Sequence, residues 1–354
     1  VDAVVVAYEN HPLVQERAAQ LIFGAAPSAG KLPMTIQRTF ERGSGIELAW
    51  GGRLKFSQPE EFGIDPKKFE EVDKMALNGI AKGAYPGCQI VVAYKGSLIY
   101  RKNFGTKTFS SKDSIQSTDV YDIASITKIA ASTVGLMYLQ SKDQFSLNAQ
   151  LKEYIDVSDS RYAAIRLRDM MAHQAGLTAW IPFYKRTLEG GKPASSYYSA
   201  VQTDDFSIQV AHDLWIRKDY SDSMYQQIMR TPLSAKTYVY SDLGYYFVKK
   251  IIEKQSGKGL DKFLHDELYG PMGLRSLRYN PLDFMNQQRI VPTENDQAFR
   301  KQLIHGYVHD PGAAMLGGVG GHAGLFANAT DLASLMQLLM NKGMYGAKNY
   351  LKEQ

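Results

Sequence analysis

Apolar and polar positions change period several times along this chain, and each change marks an element. Ala3 to Ala7 is a continuous apolar run, the pattern of a strand buried on both faces of a parallel sheet. From Pro12 to Phe23 the apolar residues Leu13, Ala18, Leu21 and Ile22 fall at helical spacing. Residues 37–58 keep no period and contain Arg42-Gly-Ser-Gly45 and Trp50-Gly-Gly-Arg53, which reads as a linker. Pro66 to Lys82 returns to the helical period through Phe69, Val72, Met75, Ala76 and Ile80. After the turn at Pro86-Gly87, Gln89–Tyr94 and Ser97–Phe104 read as strands, joined by Lys95-Gly96 into a hairpin.

A second helical region opens at Ser125. Its apolar positions Ile126, Ile129, Ala130, Val134, Met137 and Leu139 cover much of the circumference, so a buried central helix is expected. Leu167–Met171 is a short helix before His173-Gln-Ala-Gly176, with Gly176 as its stop. Residues 178–235 hold many Tyr, Ser and Asp in no regular period and read as a long irregular insertion covering a site. Asp242–Gln255 is helical, Gly317–Gly324 a glycine-rich turn, and Asp331–Lys342 a last helix. Hairpin, mixed sheet and flanking helices predict an α+β class.

Bulk properties narrow the function. The 354 residues are 44% hydrophobic and 22% charged, enough for a substantial core. The net charge is +5, but no dense basic block appears, and Lys67-Lys68 sits among acids, so nucleic acid is not an expected partner. The single cysteine, Cys88, lies in a strand pattern and reads as a structural thiol. It excludes an internal disulfide framework and a multi-cysteine metal site. No apolar run approaches the roughly 20 residues of a membrane span. The chain starts at Val1, and Val4-Val5-Val6 is too short for a signal-peptide core. The expectation is an internal cut from a longer protein.

The chemistry concentrates at Ser125-Ile-Thr-Lys128. At a helix start this spacing places both side chains on one face, a turn apart. The free amides and dipole of the helix N-terminus stabilise negative charge there, and the serine N–H becomes an oxyanion donor. A buried helix desolvates the lysine and favours the neutral amine that accepts the serine proton. A lone Ser-x-x-Lys also arises as a capping serine with an exposed lysine, so context decides. The motif follows Tyr121-Asp-Ile-Ala and is followed by Tyr240-Ser-Asp242.

With Pro86-Gly-Cys-Gln89, Leu167-Arg-Asp-Met-Met-Ala-His173-Gln-Ala-Gly-Leu177 and Gly320-Gly-His-Ala-Gly-Leu325, this ordered set resembles the class C β-lactamase and penicillin-binding protein family over roughly residues 60–345. The resemblance implies an antiparallel sheet flanked by helices plus a mostly helical subdomain. It implies a serine hydrolase working through an acyl-enzyme without cofactor or metal. Ser125 would be the nucleophile, Lys128 its base and Tyr240 the second proton-transfer group, with the base role open to either of the two because a tyrosine beside an ammonium ionises more easily, and Asp242 and His322 would face substrate. Residues 24–36, with Ser28-Ala-Gly-Lys-Leu-Pro33, resemble the close of a family 3 glycoside hydrolase. The run is not a phosphate loop: its spacing is off by one and Leu32 replaces the required Ser/Thr. The expected organisation is therefore a glycosidase remnant at 1–36, a linker at 37–58 and a β-lactamase-related domain at 59–354.

The sequence departs from the family pattern twice. Asp242 stands where β-lactamases carry Asn; its charge favours the Lys128 ammonium and repels a penicillin carboxylate, which moves the expectation towards an esterase or peptidase. The third family motif, Lys/His-Thr/Ser-Gly on a strand, has one candidate, His322-Ala-Gly324. A helix rather than a strand is expected after it, so the true motif is expected beyond Gln354. His305-Gly-Tyr-Val-His309 is read as a loop rather than a metal site, and His173 as a structural helix-end residue. The overall expectation is hydrolysis of an ester or amide in a cell-wall or glycan compound, outside the cytoplasm, with a family 3 glycoside hydrolase domain in the same parent chain. The alternative is a non-catalytic domain that binds peptidoglycan fragments or the fused glycosidase.

Overall fold

The computed structural model describes residues 3–37 and 39–353. Val1, Asp2, Arg38 and Gln354, which fall within the three expected segments, lie outside the described residues. The chain forms two compact units, residues 1–105 with 332–354, and residues 106–331.

In the first unit the hairpin forms as Gly87–Tyr94 paired antiparallel with Ser97–Gly105, and Lys55–Phe56 adds in parallel beside Ser97 and Leu98. The turn residues Lys95 and Gly96 both have positive φ, the two-residue geometry whose twist matches a hairpin. Gly96 is required twice over: a Cβ there would lie 2.7 Å from the Trp50 ring. The expected 66–82 helix is a 3-10 turn, Pro66–Phe69, running into the α-helix Glu70–Ala81. It meets the sheet through Ala76 and through Phe69, which stacks on Tyr100 at 4.8 Å. Pro12–Ile22 is helical as its period predicts. Ala3–Ala7 forms no strand, and Val4, Val5 and Val6 stay exposed. A strand of that composition needs cover on both faces, and no described residue pairs with it.

The second unit is largely helical. Its centre is a π-helical stretch, Lys128–Thr133, continued by the α-helix Val134–Ser141. The widened turn frees carbonyl groups, and side chains take them up: Thr133 Oγ1 donates to Lys128 O (2.8 Å) and Tyr269 Oη to Ala130 O (2.7 Å). Ala130, Ala131, Val134 and Leu139 are buried, as is the helix Leu243–Ser256 along Phe247, Val248, Ile251 and Ile252. Ile126 and Ile129 depart from the expected all-round burial, because one side of the first turn lies at the surface while Thr127 and Lys128 on the other are buried.

The 178–235 segment is more ordered than its composition predicts. It holds a three-stranded sheet of Tyr198–Ser199, Leu214–Ile216 and Ile208–Ala211, and the helix Tyr220–Arg230. That helix buries Tyr220, Met224, Tyr225 and Ile228, an i, i+4, i+5, i+8 stripe hidden among polar residues. A second small sheet places Leu325–Ala327 between Arg278–Tyr279 and Tyr121–Asp122, all antiparallel. His322-Ala-Gly324 is therefore followed by a short strand before the helix Ala329–Met340, where the sequence pattern predicted a helix directly. This sheet matters for function because it fixes the residues just before Ser125 beside the Gly320–Gly324 turn. Among the described residues no helix is long and apolar enough to cross a membrane.

Candidate active site

The strand Tyr121–Asp122 ends in a turn that carries Ser125. Ile123 N–H donates to Leu325 O (3.0 Å), which anchors the turn to the central strand. Asp122 is the half-buried centre of this corner. Its carboxylate accepts from Ala124 N–H (2.8 Å) and from His309 N–H (2.6 Å). Burial pushes its pKa up, while these two N–H groups work in the opposite direction. Ala124 is held at φ 45°, a left-handed conformation uncommon for a residue with a side chain. The chain then enters the helical region with Ser125 exposed and its N–H without a protein acceptor among the described residues.

Lys128, 4% exposed, reaches three oxygen atoms. Its Nζ donates to Ser125 Oγ (2.8 Å) and to His322 O (3.2 Å), and forms an ion pair with Asp242 Oδ1 (2.6 Å). The ion-pair contact is too oblique for a hydrogen bond, so the buried Oδ1 has a charge partner but no aligned donor. Nζ lies 5.0 Å from the Tyr240 ring centre and 5.5 Å from that of Tyr245. The two rings differ in access: Tyr240 is 46% exposed, whereas Tyr245 is buried and burial pushes its pKa up to about 12. Four of the sequence candidates, Ser125, Lys128, Tyr240 and Asp242, thus converge on one point.

His322 is placed differently from expectation. Its side chain is 2% exposed and turned into the protein, where a substrate-facing side chain was expected. Nε2 bonds Asp310 (2.8 Å), the ring stacks on Tyr246 at 4.4 Å, and the backbone carbonyl is what meets Lys128. Burial alone would raise the Asp310 pKa, but His322 and the Ala313 N–H hold it at about 2. Asp310 also caps the short helix Pro311–Met315.

His173 is the hinge of the Tyr240 loop. It takes φ 58° directly after the helix Leu167–Met171, so the left-handed stop falls here as well as at Gly176. Its Nδ1 accepts from Ser241 N–H (3.1 Å), its carbonyl accepts from Val239 N–H (2.9 Å), and its ring lies 4.7 Å from that of Tyr240. Burial first, then the nearby Lys128 charge, lowers its pKa. Ser241 Oγ donates to Thr178 O (2.7 Å) and Asp242 N–H to Ala179 O (2.9 Å), which completes the loop's attachment.

Asp122 and Asp310 were not singled out from sequence. Local signals for both exist: an aspartate two residues before Ala124 has the spacing of a side-chain-to-backbone turn, and Asp-Pro is a helix-start pair. The two histidines of the 305–309 run have separate partners. His305 Nε2 lies 2.8 Å from Ile290 O, and His309 Nδ1 lies 3.0 Å from Glu294. Cys88 is half-buried, and burial raises its pKa, which disfavours the thiolate.

The arrangement can therefore present an exposed hydroxyl to a carbonyl, with a cation and a phenol beside it and a free N–H at a helix start. Among curated proteins the chain is 29% identical over 320 residues to an N-acetylmuramyl-L-alanine amidase of Bacillus subtilis (strain 168), covering 82% of this chain and 67% of that protein. Among solved structures it resembles an octameric penicillin-binding protein homologue from Pyrococcus abyssi (TM-score 0.59, 15% identity), over 80% of this chain and 58% of the other. It also resembles a beta-lactamase/D-alanine carboxypeptidase from Yersinia pestis (TM-score 0.53, 18% identity), over 77% and 68% respectively. The fold is thus the β-lactamase/transpeptidase fold. The Beta-lactamase family description matches residues 71–352, the greater part of the chain, and the protein belongs to that family.

Proposed function

We propose that the protein is a serine hydrolase that forms an acyl-enzyme on Ser125 and acts on an ester or amide of a cell-wall compound. The observation that carries this reading is the 2.8 Å contact between Ser125 Oγ and the buried Lys128 Nζ at a helix start. The Lys128–Tyr240 pair acts as the base once it has given one proton to solvent; Ser125 Oγ then attacks the substrate carbonyl, and its proton enters the pair. That pair then protonates the leaving group, and water releases the acyl group. The free Ser125 N–H supplies one oxyanion donor. His173, Asp122 and Asp310 position these groups without touching substrate.

Support for the substrate class comes from the name of the Bacillus amidase, which places that relative in cell-wall chemistry. The resemblance of residues 24–36 to the end of a family 3 glycoside hydrolase supports a glycan-derived compound. Both favour an extracytoplasmic setting.

The test is labelling with a neutral fluorophosphonate and mapping of the adduct by mass spectrometry. A single adduct on Ser125, lost in Ser125→Ala, is the expected outcome. A folded protein that takes no adduct would instead favour a domain that binds cell-wall fragments without cleaving them.

A further inference from the structure

Thr127, between Ser125 and Lys128, is fully buried. Its Oγ1 accepts from Leu325 N–H at 3.1 Å. The carbonyl of the same leucine accepts from Ile123 N–H at 3.0 Å. In an antiparallel ladder the two residues of a hydrogen-bonded pair exchange both bonds. Here the Ile123 carbonyl accepts from Ile126 N–H (3.0 Å) instead, as the chain turns into the helix. The Thr127 hydroxyl supplies the second acceptor in its place. Leu325 therefore holds the chain on both sides of Ser125, at 123 and at 127.

The stretch between those two points contains the left-handed Ala124, at φ 45°. A residue with a Cβ keeps such an angle where its surroundings hold it there. Asp122 contributes one restraint, through Ala124 N–H. Leu325 contributes the two that bracket the turn.

The same segment also holds Lys128. Lys128 Nζ donates to His322 O at 3.2 Å, and Ser132 Oγ to Gly321 O at 2.6 Å. Residues 321–325 are thus a common support: they fix Lys128 through a carbonyl and the Ser125 turn through Leu325. The 2.8 Å separation of Ser125 Oγ and Lys128 Nζ depends on both attachments.

We infer that Thr127 is a positioning residue for acyl transfer, whose hydroxyl locks the Ser125 turn to the strand Leu325–Ala327. The inference rests on the acyl-enzyme reading. Thr127 touches no substrate. It keeps Ser125 Oγ in register with Lys128, so its loss slows attack and leaves binding of the reacting molecule unchanged.

The experiment compares Thr127→Ser, Thr127→Ala and Thr127→Val. The first two differ from each other by the oxygen alone, and the third keeps the volume without a strong acceptor. Labelling by a neutral fluorophosphonate over a range of probe concentrations gives kinact and KI, and intact mass gives the fraction of chains labelled. All three variants lose some thermal stability: Thr127→Ser removes a buried methyl, while Thr127→Ala and Thr127→Val strand the Leu325 N–H. Rate and stability are therefore expected to part company. Thr127→Ser should keep kinact within about threefold of wild type, because the acceptor is retained. Thr127→Ala and Thr127→Val should fall by about tenfold to a hundredfold in kinact, the scale of a displacement of up to about 1 Å, with KI and the labelled fraction unchanged.

A kinact for Thr127→Ala close to that of Thr127→Ser, whether both are high or both low, would overturn the inference. So would a loss confined to KI or to the labelled fraction, which is what a general weakening of the fold produces. If Thr127→Val does not fold, the serine and alanine variants carry the same decision. No labelling of wild-type Ser125 would refute the acyl-enzyme reading and this inference with it, whereas labelling indifferent to the oxygen at 127 refutes the inference alone.

Discussion

Gly321 offers a sharp test of how Lys128 is held. A Cβ at this position would lie 2.1 Å from the carbonyl oxygen of Tyr245 and 3.0 Å from Ser132 Oγ. Ordinary carbon–oxygen contacts begin near about 3.3 Å, so Gly321→Ala must separate the turn from the Leu243–Ser256 helix by about 1 Å. Turn and helix are both buried here, so part of the shift falls on the turn. That costs about 1–3 kcal/mol as an overpacked site, or a fall in Tm of very roughly 2–10 °C. The next residue is His322, whose carbonyl is an acceptor for Lys128 Nζ at 3.2 Å. A 1 Å error there predicts a loss of about a hundredfold in the rate at which Ser125 is acylated. The assay is the second-order rate of fluorophosphonate labelling beside a thermal melt, with Gly30→Ala as control, since a Cβ on Gly30 meets nothing within 4 Å. Wild-type labelling with a wild-type Tm would refute the steric argument. A lowered Tm with an unchanged labelling rate would show that the His322 carbonyl does not set the position of Lys128.

Other expectations follow from buried polar groups. Arg300 has a fully buried guanidinium bonded to Asp296 (2.8 Å), to Glu294 (3.2 Å) and to the carbonyls of Val308 (2.6 Å) and His309 (2.7 Å), so Asp296→Ala leaves it only the longer contact to the partly exposed Glu294 and should cost about 3 kcal/mol in a denaturant titration. Tyr162 Oη donates to Ile228 O (2.7 Å) and lies 2.9 Å from Thr231 O; Tyr162→Phe should cost about 1–3 kcal/mol in the same measurement. Because the folded protein lowers the pKa of His173 below 6.5, the unfolded chain binds its proton first as pH falls. Its contribution to stability is present above about pH 6.5 and is lost below it. His173→Asn keeps an acceptor for Ser241 N–H without titrating, so its Tm should decline less than that of the wild type between pH 7.5 and 5, by about the effect of one group.

Sequence pattern exposed the local elements and missed what depends on distant pairing. The hairpin at Gly87–Gly105, the helix Leu167–Met171 and the helix Leu243–Ser256 follow from periods and turn residues within a few positions of themselves. The strand Leu325–Ala327 was invisible, because three residues carry no period and its partners lie some 50 and 200 positions away. The same reason hid Asp310, which acts through a histidine twelve residues on, and gave His322 a substrate-facing role although its ring is buried. The convergence of Ser125, Lys128, Tyr240 and Asp242 was legible as an ordered set of motifs. A carboxylate at 242 acting on Lys128 was part of the same reading; the 2.6 Å distance between residues 114 positions apart was not.

The left-handed Ala124 has an evolutionary consequence. A residue with a Cβ in that conformation costs about 1–2 kcal/mol relative to an unstrained one, and glycine would remove most of that cost. Selection for robustness alone would therefore drift towards glycine here. Glycine would also widen the range of backbone angles open to the residue that carries Ser125 into place, and Asp122 would have more freedom to restrain. Variants of this protein chosen only for heat resistance should therefore be checked at position 124 for a change to glycine.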